Sequence, residues 1–317
     1  MTGAVLGFPP PAKHTKRFRD LSTTDIYAEE VLLVAKSASE TRGQLPVWET
    51  LRQNDPAKVL QIELIDREHI AVHRHDEELQ TICLVDEGSL QGLVATSRVL
   101  IDISGFPHNV WAPILKAAYH QKPLTRIVYA EPESYKSHPT PASATLFDLS
   151  VSLEGLAPLP GFAQLEGPEE EDKTIYVPLL GFEGNRPERL AMQLDPTPKV
   201  LPIVGVPGFQ LEYPAFTVAC NRGLLEEYRA HANIRLARAS CPFEVFDVLG
   251  DIRKDYPDHY MYIAPVGTKP HSLGGVLYAI ANPHDTEIMF DYPIRKSGRT
   301  SGVGVIHIYD FGKFEDV

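Results

Sequence analysis

The sequence predicts an α/β protein: a Rossmann-like, mostly parallel sheet built from repeated β-α-β units, with a smaller N-terminal α+β region. Three observations predict it. The chain has 317 residues and 43% hydrophobic content, enough to bury a sizeable core. Three segments share one layout of apolar strand, glycine-containing turn, proline, helix, second apolar strand and another proline. Each is long enough for a β-α-β crossover, and such units close into a mostly parallel sheet. Before them, residues 58 to 85 carry near-alternating β-branched positions, the pattern of short strands in a mixed sheet.

Taken in order, residues 1–20 read as an extended basic arm, with three successive prolines and Lys13, Lys16, Arg17 and Arg19. Residues 21–95 form the N-terminal region. Within it "DIYAEEVLLVAKSASETR" places Ile26, Val31, Leu32 and Ala35 near helical spacing, which predicts a helix from Asp25 to about Arg42 with Asp25 or Thr24 as N-cap. Residues 96–317 form the Rossmann-like ligand-binding domain. Its units are "VLIDISGFPHNVWAPILKAAY" with "RIVYAEP", "TIYVPLLGFEGNRPERLAMQL" with "KVLPIVGVP", and "YMYIAPVGTKPHSLGGVLYAIA" with "EIMFDYP". A shared layout does not require shared ancestry, since strand-turn-helix-strand recurs throughout α/β proteins. Between the first two units a proline-rich stretch ending "GPEEEDK" reads as a surface loop. "SCPFEVFDVLGDIRKDY" predicts a helix with Ser240 as N-cap and Pro242 in its first turn, and "SGRTSGVGVIHIYDF" a glycine-rich loop leading to an edge strand.

The net charge of -12 argues against a sequence-independent grip on nucleic acid, which needs a broad basic surface. A small phosphate-bearing ligand remains open, because local geometry can capture it. Cys83, Cys220 and Cys241 stand far apart without CxxC spacing, so reduced core thiols are expected. No apolar run approaches the ~18 residues of a membrane span, and the first residues lack the pattern of a signal peptide, so a cytoplasmic location is expected.

Proline is well tolerated at the first helical position and forces the preceding residue out of the α region. That would make Lys269 the N-cap of the third unit's helix, with Arg186 and Phe106 in the same role in the other two. None of these side chains can accept from the amides it should cap, and a lysine opposes the helix dipole by roughly 0.3–1 kcal/mol. An anion bonded to the His271 and Ser272 amides would remove both penalties, with Gly267 letting the backbone approach it. Thr268 as the true cap, or water on the amides, are the alternatives. At the carboxyl edge of a parallel sheet the loops should bring together Asp102 and Ser104, Glu183 and Arg186, Gly267, Thr268, Lys269, His271 and Ser272, and Asp291 and Tyr292. Carboxylates, hydroxyls and two cations in one place suit a nucleotide.

"APVGTKPHSLGG" resembles the Gly-Gly-Thr-Lys loop of the CRISPR-associated Rossmann fold (CARF) ligand-sensing domains and the related SAVED domains, in which the loop follows a core strand and opens a helix. Those families bind cyclic oligonucleotide second messengers, and by motif the resemblance implicates Gly267, Thr268 and Lys269 alone. Val266 stands where the family has its first glycine, and Pro270 follows the lysine. The resemblance implies a sensor in prokaryotic antiviral defence that signals to a protein partner or assembles with its own copies.

Other chemistry is sparse. "HIAVHRHDEE" gathers His69, His73, His75, Asp76, Glu77 and Glu78 but lacks the carboxylate and final histidine of the HxHxDH hydrolase pattern, so no metal is expected. Arg253 and His259 have the RxxxxxH spacing of HEPN ribonucleases, yet Pro257 should break the helix which that motif needs. No GxSxG, GxxxxGK[ST] or post-strand GxGxxG occurs, and no cofactor is expected. Tyr135 and Tyr292 follow strands, where a ring can stack on a base. The leading expectation is a nucleotide-sensing protein. The alternatives are an enzyme acting on a nucleotide or sugar phosphate, with Asp102, Glu131 or Glu183 as acid or base, and a non-catalytic scaffold.

Overall fold

The computed structural model describes residues 14–74, 77–142, 145–164 and 173–313. The chain is a mixed α/β protein that divides into two compact units, an N-terminal one of Pro9–Tyr135 together with Thr300 onward, and a C-terminal one that includes Lys136–Arg299. Most of the basic arm, residues 1–13, lies outside the described residues, as do His75, Asp76 and the acidic run after residue 164.

In the N-terminal unit, β1 (Thr15–Phe18), β2 (Glu30–Ala35), β3 (Val59–Leu64), β4 (His69–Arg74), β5 (Glu77–Cys83), β6 (Arg98–Asp102), β7 (Leu124–Ala130) and β20 (Ile306–Gly312) form one sheet in the order β1-β20-β7-β6-β2-β3-β4-β5. The four strands β3, β2, β6 and β7 are parallel, and the flanking strands are antiparallel, so the sheet is mixed. A short pair, β8 (Ser134–Tyr135) with β19 (Thr300–Ser301), adjoins the ends of β7 and β20 in sequence. Helices α1 (Pro46–Asn54), α2 (Glu87–Leu93) and α3 (His108–Gln121) complete the unit.

The helix expected over residues 25–42 is instead β2 with two short 3-10 turns around it. "EVLLVA" is a continuous apolar run, and Leu32, Leu33 and Val34 are buried on both faces of a central parallel strand. Such strands lose the alternation that separates them from helices at sequence level. Leu32 and Val34 join Val59, Leu100, Val128, Trp48 and Ile308 in this unit's core. The tail also differs from expectation. β20 is not an edge strand but lies between β1 and β7, which accounts for its near-complete burial.

In the C-terminal unit, β12 (Thr174–Pro178), β13 (Lys199–Val200), β16 (Tyr260–Ala264) and β17 (Thr286–Ile288) form a wholly parallel sheet in the order β13-β12-β16-β17. A parallel bridge from Leu179 to Ile203 continues β12 onto β14 (Ile203–Gly205), which pairs in parallel with β15 (Arg235–Ala237). The order of strands therefore reverses between β12 and β16. Smaller pairs are β9 (Ser137–Ala142) with β10 (Thr145–Phe147), and β11 (Ser150–Leu153) with β18 (Pro293–Arg295). The helices are α4 (Asn185–Ala191), α5 (Tyr213–Cys220), α6 (Arg222–Glu227), α7 (Pro242–Asp255) and α8 (Lys269–Ala281).

All three expected β-α-β segments form parallel pairs, but they are divided between two sheets: the first is β6-α3-β7, and the other two run from β12 and β16. A fourth instance, β2-α1-β3, carries the same strand, glycine, proline and helix order at "VLLVA", Gly43 and Pro46. The predicted helix at 240–256 is α7, with Cys241 rather than Ser240 as N-cap and Pro242 first in the helix. Cys220 and Cys241 are buried free thiols, and burial pushes both thiol pKa values up. Among the described residues no helix is long and apolar enough to cross a membrane.

Candidate functional site

At the carboxyl edge of the C-terminal unit's sheet, α8 does not begin as its sequence suggested. Thr268, not Lys269, is the N-cap. Its hydroxyl accepts from the His271 amide at 3.3 Å and donates to the Ala239 carbonyl at 2.7 Å. The Ser272 amide donates to the Thr268 carbonyl at 2.9 Å, so both amides assigned to an anion are held by protein oxygens. A threonine hydroxyl is the better cap because it reaches the amide without bringing a charge against the dipole. Lys269 is the first helical residue and is buried. Gly267 serves the approach of two loops: a Cβ there would stand 2.6 Å from the Leu180 carbonyl oxygen, and one at Gly181 would stand 2.7 Å from that of Val266.

Most of the neighbouring predicted residues are also engaged by protein groups, although the buried His271 Nδ1 has no hydrogen-bond partner among the described residues. The buried Arg186 guanidinium donates to both carboxylate oxygens of Asp291, at 2.9 and 2.6 Å, and to Glu183 at 3.1 Å. Burial opposes its charge, but the hydrogen bonds and attraction of Asp291 prevail and raise its pKa. Arg186 lies inside α4 rather than capping it, and α3 begins after Pro107 rather than Phe106. His271 is fully buried with Nε2 3.1 Å from the Arg238 carbonyl, and burial lowers its pKa to about 4. It is thus neutral at pH 7 and offers a phosphate no cation. The Ser272 hydroxyl donates to the Thr268 carbonyl at 3.1 Å, and the Tyr292 hydroxyl to that of Pro158 at 2.9 Å.

Asp102 and Ser104 belong to the N-terminal unit. Asp102 accepts from the Trp48 indole at 2.7 Å and from the Ser104 amide at 2.8 Å, while the Ser104 hydroxyl accepts from the Ala130 amide at 2.8 Å. Glu131 bonds His307 at 2.6 Å. The three carboxylates considered as acid or base are therefore each engaged in a structural contact. Among the described residues no group of three or more His, Cys, Asp or Glu side chains is placed to hold a metal. His69 and His73 pair with different carboxylates, those of Asp66 and Glu63. Arg253 donates to the carbonyls of His259 and Asp285, past the end of α7, and so anchors a turn.

The N-terminal unit contains the more open chemistry. A cavity of about 240 Å³ lies against one face of β2 and β3, walled by Lys36, Gln61, Gly43, Leu45, Trp48 and Arg52 among others. Helix α1 begins at this cavity with Pro46 in first position and Leu45 as N-cap, and no side chain caps it. Lys36 follows β2 directly. Its ammonium lies 2.8 Å from Glu63 and 3.4 Å from the His73 ring, and His73 lies 3.1 Å from the same carboxylate. The hydrogen bond from Lys36, with the His73 ring beside it, holds the Glu63 carboxyl below its usual range. Register explains the grouping: Val34 pairs with Gln61 across β2 and β3, and Gln61 with His73 across β3 and β4. On the cavity's other wall Glu49 pairs with Arg52 within α1.

Nothing local in the sequence marks Lys36, Gln61, Glu63 and Arg52, because the continuous apolar run of β2 has the pattern of a buried helix and hides the strand, Gly43, Pro46 and helix order around them. No family model matches the chain, and no curated protein matches it. Among solved structures it is similar to a periplasmic ribose ABC transporter protein from Conexibacter woesei, at 13% identity over 80% of this chain and 69% of that one. The TM-score of 0.23 is too low for this likeness to bear on fold or ligand.

Proposed function

We propose that this protein binds a small phosphate-bearing ligand, a mononucleotide or sugar phosphate, in the cavity of its N-terminal unit. One observation carries the reading: a helix start without a side-chain cap opens onto a cavity that also holds Lys36. Pro46 has no N–H and the Trp48 amide donates to the Leu45 carbonyl at 3.0 Å, so the attraction for an anion comes from the positive end of the helix dipole and the nearby ammonium. Val34, Leu45 and Val59 supply an apolar wall for a ring, while Gln61 and Glu49 can accept or donate to hydroxyls. At about 240 Å³ the cavity is smaller than sites for drug-sized ligands, which favours a single nucleotide over a cyclic oligonucleotide. The ligand's phosphate would draw Lys36 from Glu63, a change at the ends of β2 and β3 by which binding can be passed to a protein partner.

The test is a thermal-shift screen of nucleoside monophosphates, sugar phosphates, free ribose and cyclic oligonucleotides on the parent, Lys36→Ala and Lys269→Ala. Stabilisation follows ligand binding to the folded state. The expected result is a shift with a mononucleotide or sugar phosphate that is lost in Lys36→Ala and kept in Lys269→Ala. A shift with cyclic oligonucleotides lost only in Lys269→Ala would transfer the site to the loop that resembles CARF and SAVED domains, and with it the role in antiviral defence. Turnover of any ligand would favour an enzyme, and no shift at all a scaffold.

A further inference from the structure

The eight-stranded sheet of the N-terminal unit ends in two edges of opposite charge. At one end β1 carries Lys16 and Arg17, both exposed, with Arg19 just beyond. At the other end β5 begins with Glu77 and Glu78, and its first five residues are all exposed, Leu79 to 46%. Five successive exposed positions mean that both faces of the strand are open there. Among the described residues no strand pairs beyond β1 or β5, and an edge of this kind offers its backbone groups to a strand that can align with it.

The match extends to direction and face. Counting the pairings across the sheet, β1 runs antiparallel to β20, β20 to β7, β3 to β4 and β4 to β5, while β7, β6, β2 and β3 are parallel. β1 and β5 therefore point the same way. Successive strand residues alternate faces, so Lys16 and Arg17 project on opposite faces, as do Glu77 and Glu78. Placing β1 of one copy beside β5 of the next, without reversal, sets one cation opposite one carboxylate on each face.

We infer that copies of this protein associate head to tail, β5 of one joining β1 of the next to continue the sheet. The contact uses different surfaces on the two partners, so it is not self-complementary, and it builds a ring where the rotation between copies closes and an open chain where it does not. β5 pairing with β5 in a register that sets the glutamates opposite one another is disfavoured by like charge.

Sedimentation at low and high salt tests this. The parent is expected to grow in mass with concentration at low salt and to lose that growth as salt screens the pairs. Reversing either edge, by Glu77→Lys with Glu78→Lys or by Lys16→Glu with Arg17→Glu, should weaken association roughly tenfold or more. Mixing the two variants should restore it, because each edge then meets its opposite. Circular dichroism establishes that the variants keep the parent's secondary structure, and Glu77→Gln with Glu78→Gln gives a milder change if they do not. A parent that stays monomeric at low salt, association unaffected by either reversal, or a mixture that fails to recover would each overturn the inference.

Discussion

The two units use one device at the point where strand order reverses and differ in what they leave beside it. In the N-terminal unit that point lies between β2 and β6, and Gly43 and Gly105 from the following loops touch: a Cβ on Gly43 would stand 2.7 Å from the Gly105 Cα. In the C-terminal unit Gly181 and Gly267 do the same after β12 and β16. The helix starts nearby then diverge. Thr268 caps α8, and around it Arg186, Asp291 and Glu183 satisfy one another. No side chain caps α1, where only the Leu45 carbonyl accepts, from the Trp48 amide, and a cavity with a lysine stands beside it. A strand, glycine, proline and helix pattern therefore sets where a helix starts against a sheet edge, and the capping residue and the packing around it decide which polar groups there are held by protein oxygens.

The largest expected effect breaks the closed network. Arg186→Met alone should strand the buried Asp291 carboxylate and cost about 3–5 kcal/mol by denaturant unfolding, while Arg186→Met with Asp291→Leu should recover much of that. Next comes pH. His271 has a folded pKa of about 4 against an ordinary value of 6.5, so between those values the unfolded chain takes up a proton that the folded one refuses. Stability from this group is intact above pH 6.5 and falls as pH drops, by roughly 2 kcal/mol between pH 7 and pH 5. Unfolding curves should lose that part of the slope in His271→Gln.

Gly267→Ala should cost about 1–3 kcal/mol, because its new methyl meets backbone that cannot swing aside. Thr268→Ala should cost about 1 kcal/mol through loss of the α8 cap. Smallest for stability is Lys36→Ala, where a half-exposed ion pair is worth about 0–1 kcal/mol, yet this variant should abolish the ligand shift. A Thr268→Ala protein that gained ligand affinity at α8 would erase the contrast between the units. A Lys36→Ala protein that kept its full shift would move the ligand out of the N-terminal cavity.

The α/β class, the parallel β-α-β segments and the helix at 242–255 were legible in the sequence, because glycine, proline and apolar periodicity act over a few residues. The glycines were legible as points of close approach, but not what they approach: Gly267 faces the Leu180 carbonyl, not a phosphate. The continuous apolar run of β2 was not legible, since a strand buried on both faces looks locally like a buried helix. Nor was the partner of Arg186, which lies 105 residues away in Asp291, or the meeting of Lys36, just past β2, with Glu63 of β3 and His73 of β4. Local backbone preference, carried by each residue and its neighbours, determined from sequence alone where helices and strands could begin. Which polar groups would be satisfied and which left facing open space depended on side chains brought together by strand register and loop packing, and only the tertiary structure decided that.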